Sequence, residues 1–224
     1  MGNIIEDKDL RNKILVFEDR SDAGKKLSLF LSSYKDTDSI VFAIPSGGVP
    51  VGKELKDFLS AEIELLVVRK IQIPWNPEAG FGAMNLDGDV ILNESLIRSL
   101  ELSEAEILSQ IEKTREILNK RNKLFRGNKS LPSLKNKVAI IVDDGVASGY
   151  TMIAGIEYVK KREPEKIIVA VPTGSWRTVK RISEAVDFIY CLNIREGYPY
   201  AVADAYRNWY DLTDEEVLMI IKDL

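Results

Sequence analysis

The stretch Val138-Ala139-Ile140-Ile141-Val142-Asp143-Asp144-Gly145-Val146-Ala147-Ser148-Gly149-Tyr150-Thr151-Met152 carries more structural information than any other part of the chain. Five apolar residues, mostly β-branched, suit a strand buried on both faces. Two adjacent carboxylates end it, and a loop of small residues then enters a helical pattern. Such a loop suits a phosphate. Free amides of the helix N-terminus point outward, glycines at 145 and 149 allow close backbone approach, and Ser148 and Thr151 offer hydroxyls. Carboxylates placed beside a phosphate would repel it, so Asp143 and Asp144 call for cations or hydroxyls, such as a sugar diol or Mg2+. A sugar phosphate meets both needs.

Working outward, similar apolar runs recur at Ile40–Ile44, Ile63–Val68, Ile167–Val171 and Phe188–Leu192. Between them lie amphipathic segments, with Ala23, Leu27, Leu31 and Tyr34 on one face, then Val51, Leu55 and Phe58. Met152, Ile156 and Val159 mark a third, and Val179, Ile182 and Val186 a fourth. This alternation predicts an open, mainly parallel α/β sheet flanked by helices. Arg69–Leu92 interrupts it, with Pro74, Pro77 and Gly80 marking a loop and Asp87-Gly88 reading as a two-residue hairpin turn. A second interruption, Asn193–Tyr210, is rich in Tyr, Gly and Pro. Ser103/Glu106 and Thr213/Glu216 have the spacing of capping boxes, the first opening a long helix through Ile107, Ile111, Leu118 and Phe125, the second a final helix over about 213–223.

Composition removes several chemistries. Across 224 residues there is no histidine and one cysteine, Cys191, which excludes Ser-His-Asp triads, His-ligated zinc and an intrachain disulfide. Cys191 ends an apolar strand and reads as a buried small hydrophobe. Thirty-one bases against 35 acids give a net charge of −4, which does not favour general nucleic-acid or membrane-surface binding. No segment approaches the roughly 18 apolar residues of a membrane span, and the expected location is the cytoplasm.

Asp143 through Thr151 resembles the phosphoribosyl-pyrophosphate (PRPP) motif of type I phosphoribosyltransferases. The resemblance implies a single Rossmann-like domain over 1–224, with its core at about 17–192, a mobile loop or hairpin at about 69–92, and a small hood built from the N-terminal residues and about 193–210. It implies that Asp143 and Asp144 engage the ribose hydroxyls and that Gly145, Val146, Ala147, Ser148, Gly149, Tyr150 and Thr151 hold the 5′-phosphate. Ser46-Gly47-Gly48, after the first core strand, resembles the loop that binds pyrophosphate through main-chain amides; relatives often carry Arg or Lys where Ser46 stands. Arg69 and Lys70, followed by Pro74 to Glu78, resemble the strand end and closing loop that meet the leaving group. Glu78 could orient that loop or assist proton transfer. Within the family, the opening Phe17-Glu18-Asp19-Arg20-Ser21-Asp22-Ala23-Gly24 and the pair Trp209-Tyr210 match a less characterised branch, and the similarity runs from about Phe17 to Val217.

The implied reaction is Mg2+-dependent transfer of ribose 5-phosphate from PRPP to a nitrogen acceptor, a nucleobase first, with release of pyrophosphate. Arg69, Lys70, Asp143 and Asp144 are the catalytic candidates, and Mg2+ would reach Asp143 or Asp144 through water. Tyr198 and Trp209 are the acceptor-binding candidates, with Tyr200 and Tyr206 as further stacking surfaces. A homodimer is expected. The rival reading is a PRPP- or nucleotide-sensing regulator that binds RNA, DNA or protein. Its motive is Lys113–Lys137, with nine bases and only Glu116 as an acid, net +8 against −12 for the rest of the chain; a solvated helix face explains the same run. A phosphotransferase or hydrolase on another nucleotide fold lacks its Gly-x-x-x-x-Gly-Lys-Ser/Thr loop.

Overall fold

The computed structural model describes residues 3–127, 129–197 and 199–223. Its main sheet has six strands, all parallel: β1 (Asn3–Ile5), β2 (Ser39–Ala43), β3 (Glu62–Leu65), β7 (Val138–Val142), β8 (Lys166–Ser175) and β9 (Phe188–Arg195), in the order β1-β9-β8-β7-β2-β3. From β2 the chain crosses to β3 on one side, whereas β7 leads through β8 to β9 on the other. The β2/β7 junction is therefore the point at which strand order reverses, and the crevice beyond its carboxyl ends is where open α/β sheets bind ligands. Register Ala43↔Val142 brings both strand ends level there.

Alternation along each strand sorts the core into two layers. Ala139 and Ile141 of β7 face Met152, Ile156 and Val159 of α5 (Tyr150–Lys160) and Val179 and Ile182 of α6 (Trp176–Ser183). Val138, Ile140 and Val142 face the opposite way, onto Ala23, Leu27 and Leu31 from α1 (Arg20–Phe30) and its end, and Val51, Leu55 and Leu59 of α2 (Gly48–Leu59). The four amphipathic segments are thus helices, and the mainly parallel architecture is as expected.

The interruption after β3 is more ordered than its Pro and Gly content suggested. The apolar run Ile63–Val68 is not one strand. It breaks after Leu65, and Val68 opens β4 (Val68–Ile73) of a separate three-stranded antiparallel sheet with β5 (Asn76–Asn85) and β6 (Val90–Leu92). Pro74 and Trp75 are merely the turn between β4 and β5. The Asp87-Gly88 turn is a three-residue loop rather than a two-residue one: Asn85 N–H bonds the Asp89 carbonyl at 3.1 Å, Gly88 N–H bonds the Asn85 carbonyl at 3.1 Å, and Gly88 has φ +85°. Glycine takes that left-handed conformation without a Cβ penalty. Against this sheet pack α3 (Glu94–Ser99) and the long α4 (Glu104–Arg126), through Ile71, Phe81, Met84, Ile97 and Leu118. Both capping boxes form, at Ser103/Glu106 and at Thr213/Glu216, the latter opening α7 (Asp214–Lys222).

Asn193–Arg195 lengthens β9 instead of leaving the core. The N-terminal segment then lies along the stretch that follows, with Leu15 N–H on the Asp204 carbonyl at 2.8 Å and Phe17 N–H on the Ala205 carbonyl at 2.9 Å. No helix among the described residues is long and apolar enough to cross a membrane.

Candidate active site

Two loops meet beyond the β2/β7 ends, and their glycines let them. Ile44 N–H bonds the Val142 carbonyl at 2.9 Å, after which Ser46-Gly47-Gly48 turns into α2; the Pro45–Ser46 peptide is cis. A Cβ on Gly47 would lie 1.9 Å from Asp144 Oδ2, and one on Gly48 would lie 2.6 Å from the Val142 carbonyl oxygen. No side chain fits either gap, so the first loop rests directly on the second.

The second loop is fixed from β8 and α6. Val146 N–H bonds the Thr173 carbonyl at 3.0 Å, the Thr178 hydroxyl donates to the Ala147 carbonyl at 2.5 Å, and Arg181 donates to the Ser148 carbonyl. The Ala147 and Ser148 carbonyls are thus engaged while the amides that follow stay free: the N–H groups of Ser148 to Thr151 donate to no other group among the described residues. Free amides at the start of α5 form an anion cradle.

Asp143 and Asp144 are half-buried and unequal. Burial pushes the Asp143 carboxyl well above the usual carboxylate range, and the neighbouring Asp144 charge pushes it further. Asp143 has no ion pair among the described residues; its Oδ1 accepts only the Asp144 N–H, at 2.9 Å. Burial also raises Asp144, but the guanidinium of Arg20 opposes it, donating from Nε to Oδ2 at 2.8 Å. Arg20 is itself 7% exposed, donates from Nη1 to the Tyr210 carbonyl at 2.8 Å and stacks 4.0 Å from the Trp209 ring centre. Tyr206 then donates its hydroxyl to the Asp144 carbonyl at 2.6 Å.

Three cavities share these walls. One of about 820 Å³ is lined by Ser46, Gly47, Asp144, Arg69, Arg20 and Trp209 among others. A smaller one, about 350 Å³, holds Asp143, Thr151, Arg69 and Lys70. Ala147, Ser148 and Tyr150 line a third of about 640 Å³, with Tyr200. The sequence candidates are therefore gathered at one end of the sheet but divided among its clefts. Arg69 borders two of them and its side chain makes no hydrogen bond or ion pair among the described residues, while Lys70 lies across Gly80 and donates to the Glu78 carbonyl. Tyr206 is 2% exposed, its ring against Phe17 and Trp209, so it is a core residue rather than a stacking surface. Tyr198 lies outside the described residues. Cys191 is buried.

The sequence reading missed Arg20, which stood inside the quoted opening without a role, and Arg121, which was counted into the basic run. Arg121 donates from Nη2 to the Ser46 hydroxyl at 2.9 Å and to Asp214 Oδ1 at 2.8 Å. The basic run is in part internally neutralised: Arg126 is 6% exposed and paired with Glu64 at 2.9 Å, and Lys137 meets Asp38 and Glu62.

An open parallel sheet with a small antiparallel sheet, and with glycine and twin-carboxylate loops at its switch point, has the type I phosphoribosyltransferase fold. The comparisons with known proteins agree. The phosphoribosyl transferase domain matches residues 17–204, so the chain belongs to that family. A Mycobacterium tuberculosis H37Rv protein, named provisionally as a phosphoribosyl transferase, is 34% identical over 207 residues, which is 92% of this chain and 46% of that protein. The chain thus spans less than half the length of the curated relatives it matches. The crystal structure of TT1426 from Thermus thermophilus aligns with TM-score 0.74 and 29% identity, covering 93% of this chain and 99% of that one. A hypoxanthine phosphoribosyltransferase from Staphylococcus aureus, at 15% identity, TM-score 0.50 and coverages of 88% and 85%, shares the fold.

Proposed function

We propose that the protein transfers ribose 5-phosphate from PRPP to a nitrogen acceptor, most simply a nucleobase, and releases pyrophosphate. The observation that supports this reading best is the contact of Gly47 with Asp144, because it sets a glycine loop and a twin-carboxylate loop against each other at the switch point. In this reading Asp143 and Asp144 accept the ribose hydroxyls, and the loop from Gly145 to Thr151 takes the 5′-phosphate on the free amides of Ser148 to Thr151. Ser46, Gly47 and Gly48 take the diphosphate. The acceptor nitrogen forms its bond to the anomeric carbon as the bond from that carbon to the diphosphate oxygen breaks. The electron pair leaves with pyrophosphate, and the acceptor's proton passes to solvent. Arg69 and Lys70 stabilise the charge that builds on the leaving group, an effect worth about 10²–10³ in rate for one well-placed donor. No histidine is needed for such a step.

The family implies Mg2+, and the donor set fits it. Asp143 and Asp144 are hard oxygen ligands, and Asp143 forms no ion pair among the described residues. No group of three potential ligands occurs among the described residues, which suits an ion held by one or two carboxylates with substrate oxygens and water. Bound there, Mg2+ would neutralise the donor's phosphate oxygens. The remaining elements of the reading are Trp209 and Tyr198 at the acceptor, a hood from the N-terminal residues and about 193–210, closure of the β4–β5 hairpin, a homodimer, and action in the cytoplasm.

The deciding experiment measures pyrophosphate release from Mg2+-PRPP across nucleobases and simple amines, with an Asp143→Asn/Asp144→Asn protein as control. Acceptor-dependent release lost in the control supports the transferase. Mg2+-dependent PRPP binding without release for any acceptor would return the reading to a sensor.

A further inference from the structure

In this chain the first loop, Pro45-Ser46-Gly47-Gly48-Val49, carries no cation of its own. A guanidinium nevertheless reaches the loop. Arg121, in the penultimate turn of α4, donates to the Ser46 hydroxyl at 2.9 Å, and its only carboxylate partner among the described residues is Asp214 at 2.8 Å, at the start of α7. Its Nε is buried without a hydrogen-bond partner among those residues. Arg69 approaches from β4, and the same two arginines border both the 820 Å³ and the 350 Å³ cavities. They lie within electrostatic reach, because the charged form of Arg69 is disfavoured first by burial and then by the charge of Arg121. Two guanidiniums that repel each other while one has no partner and the other an unused buried N–H are arranged for an anion that can bridge them. An ion pair with Asp214, which is 44% exposed, would contribute little by itself and would not require contact with the loop.

We propose that Arg121 and Arg69 form the cationic half of a diphosphate site, with Arg121 supplying from α4 the charge that the Ser46-Gly47-Gly48 loop lacks. The bound group is the diphosphate end of the donor and free pyrophosphate as product. Asp214 is then a place-holder that Arg121 exchanges for phosphate oxygen. The proposal rests on the PRPP reading above and deepens it. It also gives part of the Lys113–Lys137 run a task inside the molecule.

The test is calorimetric titration of the whole protein with inorganic pyrophosphate, Mg2+-PRPP and ribose 5-phosphate. Arg121→Gln should weaken pyrophosphate and PRPP by about 10- to 100-fold, the effect of one or two charge-assisted hydrogen bonds, and leave ribose 5-phosphate within about 2-fold. Arg121→Lys should recover part of the loss. Asp214→Asn should tighten pyrophosphate several-fold, because it frees Arg121, whereas a purely structural ion pair would weaken or leave binding when broken. Unchanged pyrophosphate affinity in Arg121→Gln, or unchanged or weakened affinity in Asp214→Asn, overturns the proposal while wild-type PRPP binding stands. Absence of both PRPP and pyrophosphate binding in the wild type overturns it together with the reading beneath it.

Discussion

Arg20 Nε donates to Asp144 Oδ2 at 2.8 Å, so the second acidic residue of the loop after β7 is already shared with a base from the start of α1, 124 residues away in sequence. Arg20 opposes the rise that burial imposes on the Asp144 carboxyl. Replacing it with Ala removes that opposition, and the proton affinity of Asp144 rises. Mg2+-PRPP affinity should then fall at the acid end of its pH profile, with the acid limb moving to higher pH. Binding titrations at a series of pH values check this, and an unmoved limb would show that Arg20 does not tune the carboxylate.

Asp143 carries a stability cost. Its carboxyl is raised well above the ordinary value of 3.8, chiefly by burial, so the native state binds its proton more tightly than the unfolded chain does. The contribution of this group to stability therefore falls as pH rises from the ordinary value through the raised one, and stays low above it. Asp143→Asn should abolish that pH dependence and stabilise the protein at neutral pH by about 1–2 kcal/mol, or about 2–4 °C in Tm for each kcal/mol in a chain of this size. PRPP binding should be lost in the same variant. Thermal melts across a series of pH values upward from the ordinary carboxylate range are the measurement, and a destabilised Asn variant at neutral pH would contradict the assigned cause.

Gly47→Ala places a methyl group 1.9 Å from Asp144 Oδ2. Either loop must withdraw. The expected result is loss of PRPP affinity by about tenfold or more with destabilisation of about 1–3 kcal/mol, the usual range for overpacking. Gly127→Ala has nothing within 4 Å of the added carbon and serves as the control for glycine replacement. Its φ of +57° means that it too loses some stability, but PRPP affinity should hold.

Asn85 ties the antiparallel sheet to α5. It is fully buried; its Nδ2 donates to Asp89 Oδ2 at 2.9 Å and to the Ala154 carbonyl at 3.1 Å, and its Oδ1 accepts the N–H groups of Asp87 and Asp89. Asn85→Ala leaves several of these groups without partners and should cost about 2–4 kcal/mol. Urea denaturation measures it; a loss below about 1 kcal/mol would mean that water replaces the amide.

The parallel layers were legible because residues such as Ala139 and Ile141 against Ile140 and Val142 are apolar on both faces, and that pattern has few other solutions. The acidic loop was legible because its residues are contiguous. The antiparallel sheet was hidden by Pro74 and Pro77, which read as loop but occupy a hairpin turn and a strand start. Its join to β3 was hidden because Leu65 and Val68 sit in one apolar run although they belong to different sheets. Arg20 and Arg121 escaped because nothing local distinguishes an arginine that reaches across 124 or 75 residues from one that faces water. Phe17-to-Gly24 as a unit was the available signal for the first. For the second no local signal existed, because Arg121 is one of the nine bases of the Lys113–Lys137 run.

At the β2/β7 junction the chain departs into opposite layers: Gly48 opens α2 on one face of the sheet, and Gly149 caps α5 on the other. Neither layer alone determines the spacing of the two loops, which follows from the paired strands and the Ala43↔Val142 register. For protein engineering this makes the sheet a chassis with separable upholstery. Helix faces on either side can be repacked, or the cleft bordered by Trp209 reshaped, while the two facing loops keep their spacing as long as those two strands keep their register.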